Sequence, residues 1–149
     1  MVNFDMGKQY DAVMCLFSSI GYLKTINNLE TAIANMAKHT KAGGVIIIEP
    51  WLKPENYKDG HISIESGSND SMSVSRMNQT TREGIVTTLS LHHTVGTAEG
   101  IEHFVETHEL AMFSDKNFAD AFAKAGLSMD IDSVGLRNGK GLYIGKKPV

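Results

Sequence analysis

Two short apolar runs joined by one amphipathic stretch limit what this chain can fold into more than any other feature. Tyr10-Asp11-Ala12-Val13-Met14-Cys15-Leu16-Phe17 and Val45-Ile46-Ile47-Ile48-Glu49-Pro50 are nearly continuous apolar segments. Their length and β-branched content predict strands buried on both faces, as in a parallel sheet. The stretch between them predicts a helix. Thr25 is a suitable N-cap, and Leu29, Ile33, Met36 and Ala37 fall on one stripe. Lys38, His39 and Lys41 suit the negative end of a helix dipole, and Gly43-Gly44 predicts the stop. A strand, a helix and a second strand in that order imply a right-handed parallel crossover. Such a crossover is one part of an open α/β sheet.

The remaining chain continues differently. Over 52–113, strand-like content at Ile62–Glu65, Met72–Asn78, Ile85–Val95 and Ile101–Phe113 is punctuated by Gly60, the Gly67–Asp70 cluster, Gly84 and Gly96–Gly100. That spacing predicts an antiparallel meander. Over 114–149, Ser114 caps a helix carrying Phe118, Ala121, Phe122 and Ala125 and ending at Gly126. Two strands follow, near Leu127–Val134 and Gly141–Lys146, with a turn containing Arg137-Asn138-Gly139-Lys140.

Composition removes several function classes. The 149 residues carry 14 basic and 17 acidic side chains, a net charge of −3, which provides no global attraction to nucleic acid or an anionic membrane. No run approaches the length of a membrane helix, and the first eleven residues carry charges where a signal peptide has its apolar core. The single cysteine, Cys15, has no partner for an internal disulfide, so a buried core thiol in a reducing, cytoplasmic setting is expected. His92, His93, His103 and His108 fit no zinc spacing, so no metal is expected; hydrogen-bonded strand histidines are, with His92 and His108 on facing strands.

Several blocks together resemble a known family. Tyr10-Asp11-Ala12-Val13, then Phe17-Ser18-Ser19-Ile20-Gly21-Tyr22-Leu23, then the helix, then Gly43-Gly44-Val45-Ile46-Ile47-Ile48-Glu49-Pro50-Trp51 look like the fourth to fifth strand of class I S-adenosylmethionine-dependent methyltransferases. The resemblance is strongest to the sugar-nucleotide N,N-dimethyltransferases that make desosamine- and mycaminose-type aminosugars. It extends through Arg82-Glu83-Gly84, His92, His103-Phe104, His108, Phe113, Ala125-Gly126-Leu127 and Gly139-Lys140-Gly141-Leu142. The family's Gly-rich loop after its first strand and acidic residue after its second have no counterpart among these residues. Met1-Val2-Asn3-Phe4 stands where the family has an acidic residue beside the adenine.

The resemblance implies the C-terminal half to two-thirds of such an enzyme, in a single α/β domain. Residues 1–51 would form a partial Rossmann-like core, 52–113 an antiparallel acceptor-binding region, and 114–149 a helix and hairpin completing the core sheet. It implies S-adenosylmethionine as cofactor, near Phe17, Ser18 and Ser19, in a site left incomplete. It implies a small-molecule acceptor, a nucleotide-linked aminosugar, with Tyr22 at its amine and Glu49, Trp51, Arg76 and Lys140 along it. Arg82 and Arg137 are further candidates for a diphosphate, which favours Arg forks and Lys charges.

Methyl transfer from a sulfonium to an amine is an in-line displacement, so positioning and removal of water matter more than a nucleophilic side chain or a metal. Each candidate also has a plain structural reading. Tyr22 and Trp51 can simply pack, Ser18 and Ser19 can serve their own turn, and single charges can be solvated. Two classes of function stay open on the residues alone: a methyltransferase, and a non-catalytic module acting in binding or dimerisation. A homodimer is expected in either case, because the first strand would expose an edge and an apolar face.

Overall fold

The structure, a computed structural model, describes residues 1–136 and 139–149; Arg137, a candidate above, lies outside the described residues. The chain divides into two compact units, Met1–Tyr57 with Leu110–Val149, and Lys58–Glu109.

The first unit is built on the expected crossover. Strand β1 (Tyr10–Cys15) leads through a 3-10 turn (Ser19–Leu23) to helix α1 (Ile26–Lys38) and strand β2 (Thr40–Ile48). β1 and β2 pair in parallel, from Ala12 with Val45 to Cys15 with Ile48. Thr25 caps α1, its side chain accepting from the Asn28 amide, and the helix buries Leu29, Ala32, Ile33, Met36 and Ala37. At its other end Lys147 Nζ donates to the carbonyls of Ala37 (2.8 Å) and Thr40 (2.7 Å). Lys147 thus ties the end of α1 to the start of β2.

Helix α2 (Asp115–Lys124) begins with a capping box. The Asn117 amide donates to Ser114 Oγ, and the Ser114 amide donates to Asn117 Oδ1. Strands β7 (Ser128–Asp132) and β8 (Leu142–Lys146) complete a four-stranded sheet in the order β1-β2-β8-β7, with β8 antiparallel to both neighbours. Phe122 of α2 lies on β8 where Gly145 leaves room: a Cβ there would sit 2.2 Å from the ring.

Two sequence expectations are corrected here. β1 is not buried on both faces: Asp11, Ala12 and Met14 are exposed, and only Cys15 is fully covered. It is the edge strand, and α1 and α2 lie side by side, tied by Lys124 and Glu30 at 2.6 Å, so one face of the sheet receives the helices. The alternation in β2 agrees, with Ile46 and Ile48 buried and Val45 and Ile47 only partly so. Second, Gly43-Gly44 does not end the helix. α1 stops at Lys38 with His39 as its cap, Lys41 pairs with Asp11 at 3.0 Å, and both glycines lie inside β2. They form a bulge: Tyr10 pairs with Thr40 but Ala12 already with Val45. Gly43 takes φ 73°, and a Cβ on Gly44 would lie 2.8 Å from the Asp11 carbonyl, so both requirements select glycine.

The second unit is the expected meander, with longer strands. β3 (Ile62–Ser68), β4 (Met72–Glu83), β5 (Val86–Thr97) and β6 (Gly100–Ala111) follow one another in space, and β4 pairs antiparallel with β3 and β5. His92 and His108 lie on neighbouring strands, β5 and β6, as expected; His92 Nδ1 is 3.4 Å from His103 Nε2, and His108 is 4.0 Å from the Glu106 carboxylate. Among the described residues no helix is long and apolar enough to cross a membrane.

Candidate functional site

Beyond β1 the chain makes a sharp turn whose two leading residues are left-handed without being glycine. Phe17 has φ 55° and Ser18 φ 60°. Such backbone is disfavoured for bulky side chains and persists only where neighbours hold it. Here the holder is a carboxylate. The Phe17 amide donates to Glu49 Oε2 at 2.6 Å, and Ser18 Oγ donates to the Pro50 carbonyl at 2.9 Å. Glu49 is buried at the end of β2, so the turn is fastened to the strand beside it. The Phe17 ring itself is 89% exposed.

Lys140 completes this cluster from the turn before β8. Its ammonium lies 3.2 Å from Ser18 Oγ and 4.6 Å from the centre of the Trp51 ring. Burial pushes its pKa below the ordinary lysine value, and the charge of Glu49 opposes that shift. Tyr22, in the same 3-10 turn, is about half exposed at 49%. Its neighbour Gly21 is buried, and a Cβ there would come 3.3 Å from Trp51 Cβ, so the turn sits tightly against the tryptophan.

Five of the ten residues singled out from the sequence therefore meet at the carboxyl ends of β1 and β2: Phe17, Ser18, Glu49, Trp51 and Lys140. Tyr22 lies on the adjoining turn. Ser19 departs from the cluster. Its hydroxyl donates to the Leu16 carbonyl at 2.7 Å, and it lines a cleft of about 250 Å³ with Met1, Phe4, Val13, Met14, Cys15, Leu16 and Met36. His39 secures the N-terminal wall of that cleft. Phe4 packs on its ring at 4.5 Å, the Met6 amide donates to its Nε2, and its Nδ1 donates to the Asn35 carbonyl. That pattern requires the neutral Nδ1–H tautomer. Cys15 in the cleft is buried, and burial pushes its thiol up to about 11, so it is not a nucleophile at neutral pH.

Arg76 lies in the second unit, on β4 opposite His93 of β5, and its guanidinium pairs with Glu65. Sequence reasoning also passed over one group. Lys53, Asp115 and Tyr143 come together in the first unit, Lys53 Nζ lying 2.6 Å from Asp115 Oδ1 and the Tyr143 hydroxyl donating to the same oxygen. Lys53 and Asp115 lower the chance of notice because each stands alone in the sequence; no periodicity or motif links positions 53, 115 and 143.

No protein-family profile matches the chain. Individual proteins do. It is 37% identical over 146 residues to the dTDP-3-amino-3,4,6-trideoxy-alpha-D-glucopyranose N,N-dimethyltransferase of Streptomyces venezuelae, covering 97% of this chain and 61% of the relative. It is 35% identical, again over 146 residues, to the dTDP-3-amino-3,6-dideoxy-alpha-D-glucopyranose N,N-dimethyltransferase of Streptomyces fradiae, covering 97% of this chain and 57% of that one. Among solved structures, Streptomyces venezuelae DesVI superposes with a TM-score of 0.92 at 36% identity, covering 99% of this chain and 62% of DesVI. The S-adenosylmethionine-bound amino pentose methyltransferase CalS10 from Micromonospora echinaspora superposes with a TM-score of 0.91 at 34% identity, covering 98% of this chain and 61% of CalS10.

Sequence and fold together match this chain to the class I S-adenosylmethionine-dependent methyltransferases, as the Phe17–Leu23 and Glu49–Trp51 blocks anticipate. Within that class its relatives are the sugar N,N-dimethyltransferases. The chain spans about three-fifths of the length of the curated relatives it matches.

Proposed function

We propose that this chain serves the S-adenosylmethionine-dependent methylation of an amine on a nucleotide-linked aminosugar, and that it contributes the acceptor end and the adenine side of the site. The observation that carries this reading is the cluster of Ser18, Glu49, Trp51 and Lys140 beyond the carboxyl ends of two parallel strands. Ligands bind at that position in open α/β sheets. The sugar dimethyltransferases named above support the choice of acceptor.

S-adenosylmethionine supplies the activated methyl group. The cleft between Phe4, Val13, Leu16 and Met36 has the apolar walls that suit a flat adenine ring, with Ser19 at its edge. Phe17 and Ser18 line the region between that cleft and the acceptor, and the fastened turn keeps both in place. The Tyr22 hydroxyl accepts a hydrogen bond from the acceptor amine and aims its lone pair at the methyl carbon. Trp51 offers a face for the sugar or base, Glu49 a carboxylate toward the amine, and Lys140 a cation for phosphate. The amine attacks in its neutral form, so orientation and exclusion of water account for the rate.

Replacing Tyr22 with Phe and Trp51 with Ala, in the polypeptide that carries the activity, is the direct test. The expected result is a lower kcat for the first and a raised KM for the acceptor in the second. Unchanged values for both would remove these residues from the acceptor site.

The free, buried thiol of Cys15 suits a reducing cytoplasm. We also propose self-association of this polypeptide through the β1 edge, where Met14 is 61% exposed. Light scattering at tens of micromolar, roughly the range that populates modest interfaces, is expected to give a dimer mass; a monomer mass would overturn the proposal.

A further inference from the structure

Trp51 and Lys140 come from the two separate segments of the first unit, yet the ammonium lies 4.6 Å from the ring centre. Neither residue sits within a regular element: Trp51 follows β2 and Lys140 precedes β8. Ser18 makes one link between them, its hydroxyl bonded to the Pro50 carbonyl and 3.2 Å from the Lys140 ammonium, and a second runs through their chain neighbours. Lys53 follows Trp51 closely in the chain, and Tyr143 follows Lys140 closely. Both are bound to one carboxylate, Asp115, at the first position of α2.

The three members are held in different ways. Tyr143 is 1% exposed and stacks on Phe118 with ring centres 3.9 Å apart, so its hydroxyl is fixed by the core. Asp115 is fixed by the capped start of α2. Lys53 reaches them from an otherwise irregular segment, its Nζ 2.6 Å from the carboxylate and 5.8 Å from the Tyr143 ring centre. The Lys53 ammonium and the Tyr143 hydroxyl hold the Asp115 carboxyl below its ordinary range, while burial and that carboxylate push the Tyr143 phenol well above its own. The group is thus a carboxylate whose one oxygen takes both the Lys53 ammonium and the Tyr143 hydroxyl.

We propose that Asp115 is a positioning residue: by holding Lys53 and Tyr143 on one carboxylate, it sets the spacing of Trp51 and Lys140 and so the shape of the acceptor site. The role rests on the acceptor-site reading above, but its test does not need an acceptor. Trp51 is the chain's single tryptophan, so intrinsic fluorescence reports on it alone.

Asp115→Asn keeps the size of the side chain and removes the charge that holds Lys53. The expected result is a red-shifted Trp51 emission and about a twofold rise in acrylamide quenching, because the ring loses the cover of the Lys140 stem and ammonium. Lys140→Met should alter the same emission, and the double variant should add little to either. Asp120→Asn, which breaks only the exposed Lys116–Asp120 pair on the same helix, should leave Trp51 unchanged. If Asp115→Asn fails to fold, Lys53→Met breaks the same link from its loop end, with the same readout. A lowered melting temperature with wild-type emission and quenching would overturn the proposal, leaving Asp115 a staple of the core only. Failure here leaves the acceptor-site reading intact, because that reading stands or falls on the Tyr22 and Trp51 kinetics.

Discussion

A polypeptide of these 149 residues is expected to bind S-adenosylmethionine several orders of magnitude more weakly than a methyltransferase carrying the complete cofactor site. Two contacts decide this. A Gly-rich turn lets backbone approach the cofactor, and an acidic side chain holds the ribose hydroxyls. Neither motif occurs within Met1–Val149. A hydrogen bond to a charged group contributes about 1.5–3 kcal/mol. Loss of two or three lowers affinity by roughly a hundredfold to a millionfold. The surviving cleft beside Met36 and the turn at Phe17 provide apolar cover but few directed donors. Isothermal titration calorimetry is the check. Micromolar binding would mean that the cleft is completed by something other than those two motifs.

Glu49→Ala is expected to produce the largest local change. Its carboxylate accepts the Phe17 amide, keeps two left-handed residues in place and faces the charge of Lys140. Removing it forfeits about 1.5–3 kcal/mol of charged hydrogen bonding. In a chain of this size that corresponds to a fall in melting temperature on the order of 3–12 °C. The Phe17 and Ser18 amide resonances should shift strongly as the turn relaxes, and Glu49→Gln, which still offers an acceptor oxygen, should recover part of both effects. Wild-type melting and unshifted resonances in Glu49→Ala would show that the turn holds itself.

The contrast between what was and was not legible follows from range. The β1–α1–β2 crossover could be read because apolar periodicity and the Thr25 cap are local properties. The meander could be read because glycines punctuate it at regular intervals. Burial of β1 on both faces was misjudged because a run of apolar residues says nothing about how many layers cover it. Gly43-Gly44 was misread as a stop because a bulge and a helix terminus use glycine for the same backbone freedom. Ser18, Glu49, Trp51 and Lys140 can be singled out by residue type and neighbouring motif, but their mutual arrangement cannot. The salient fact, that Glu49 binds a backbone amide rather than another side chain, leaves no trace in residue type. The Lys53–Asp115–Tyr143 group was invisible for the same reason.

The order of strands in the first sheet carries a consequence for synthesis. β8, made after both of its neighbours, lies between β2 and β7 and pairs with both. Until it leaves the ribosome, β2 has one partner, β7 has none within this sheet, and the carbonyls at the end of α1 lack Lys147. The meander, whose neighbours are all sequential, can close first. Folding of the first unit therefore waits for β8 and depends on contacts of long sequence separation, which slows it and leaves the Ile46–Ile48 stretch open to other nascent chains in the meantime. Sites that matter for yield in the cell should accordingly concentrate in β8 and at Lys147, far along the chain from Tyr22 and Trp51.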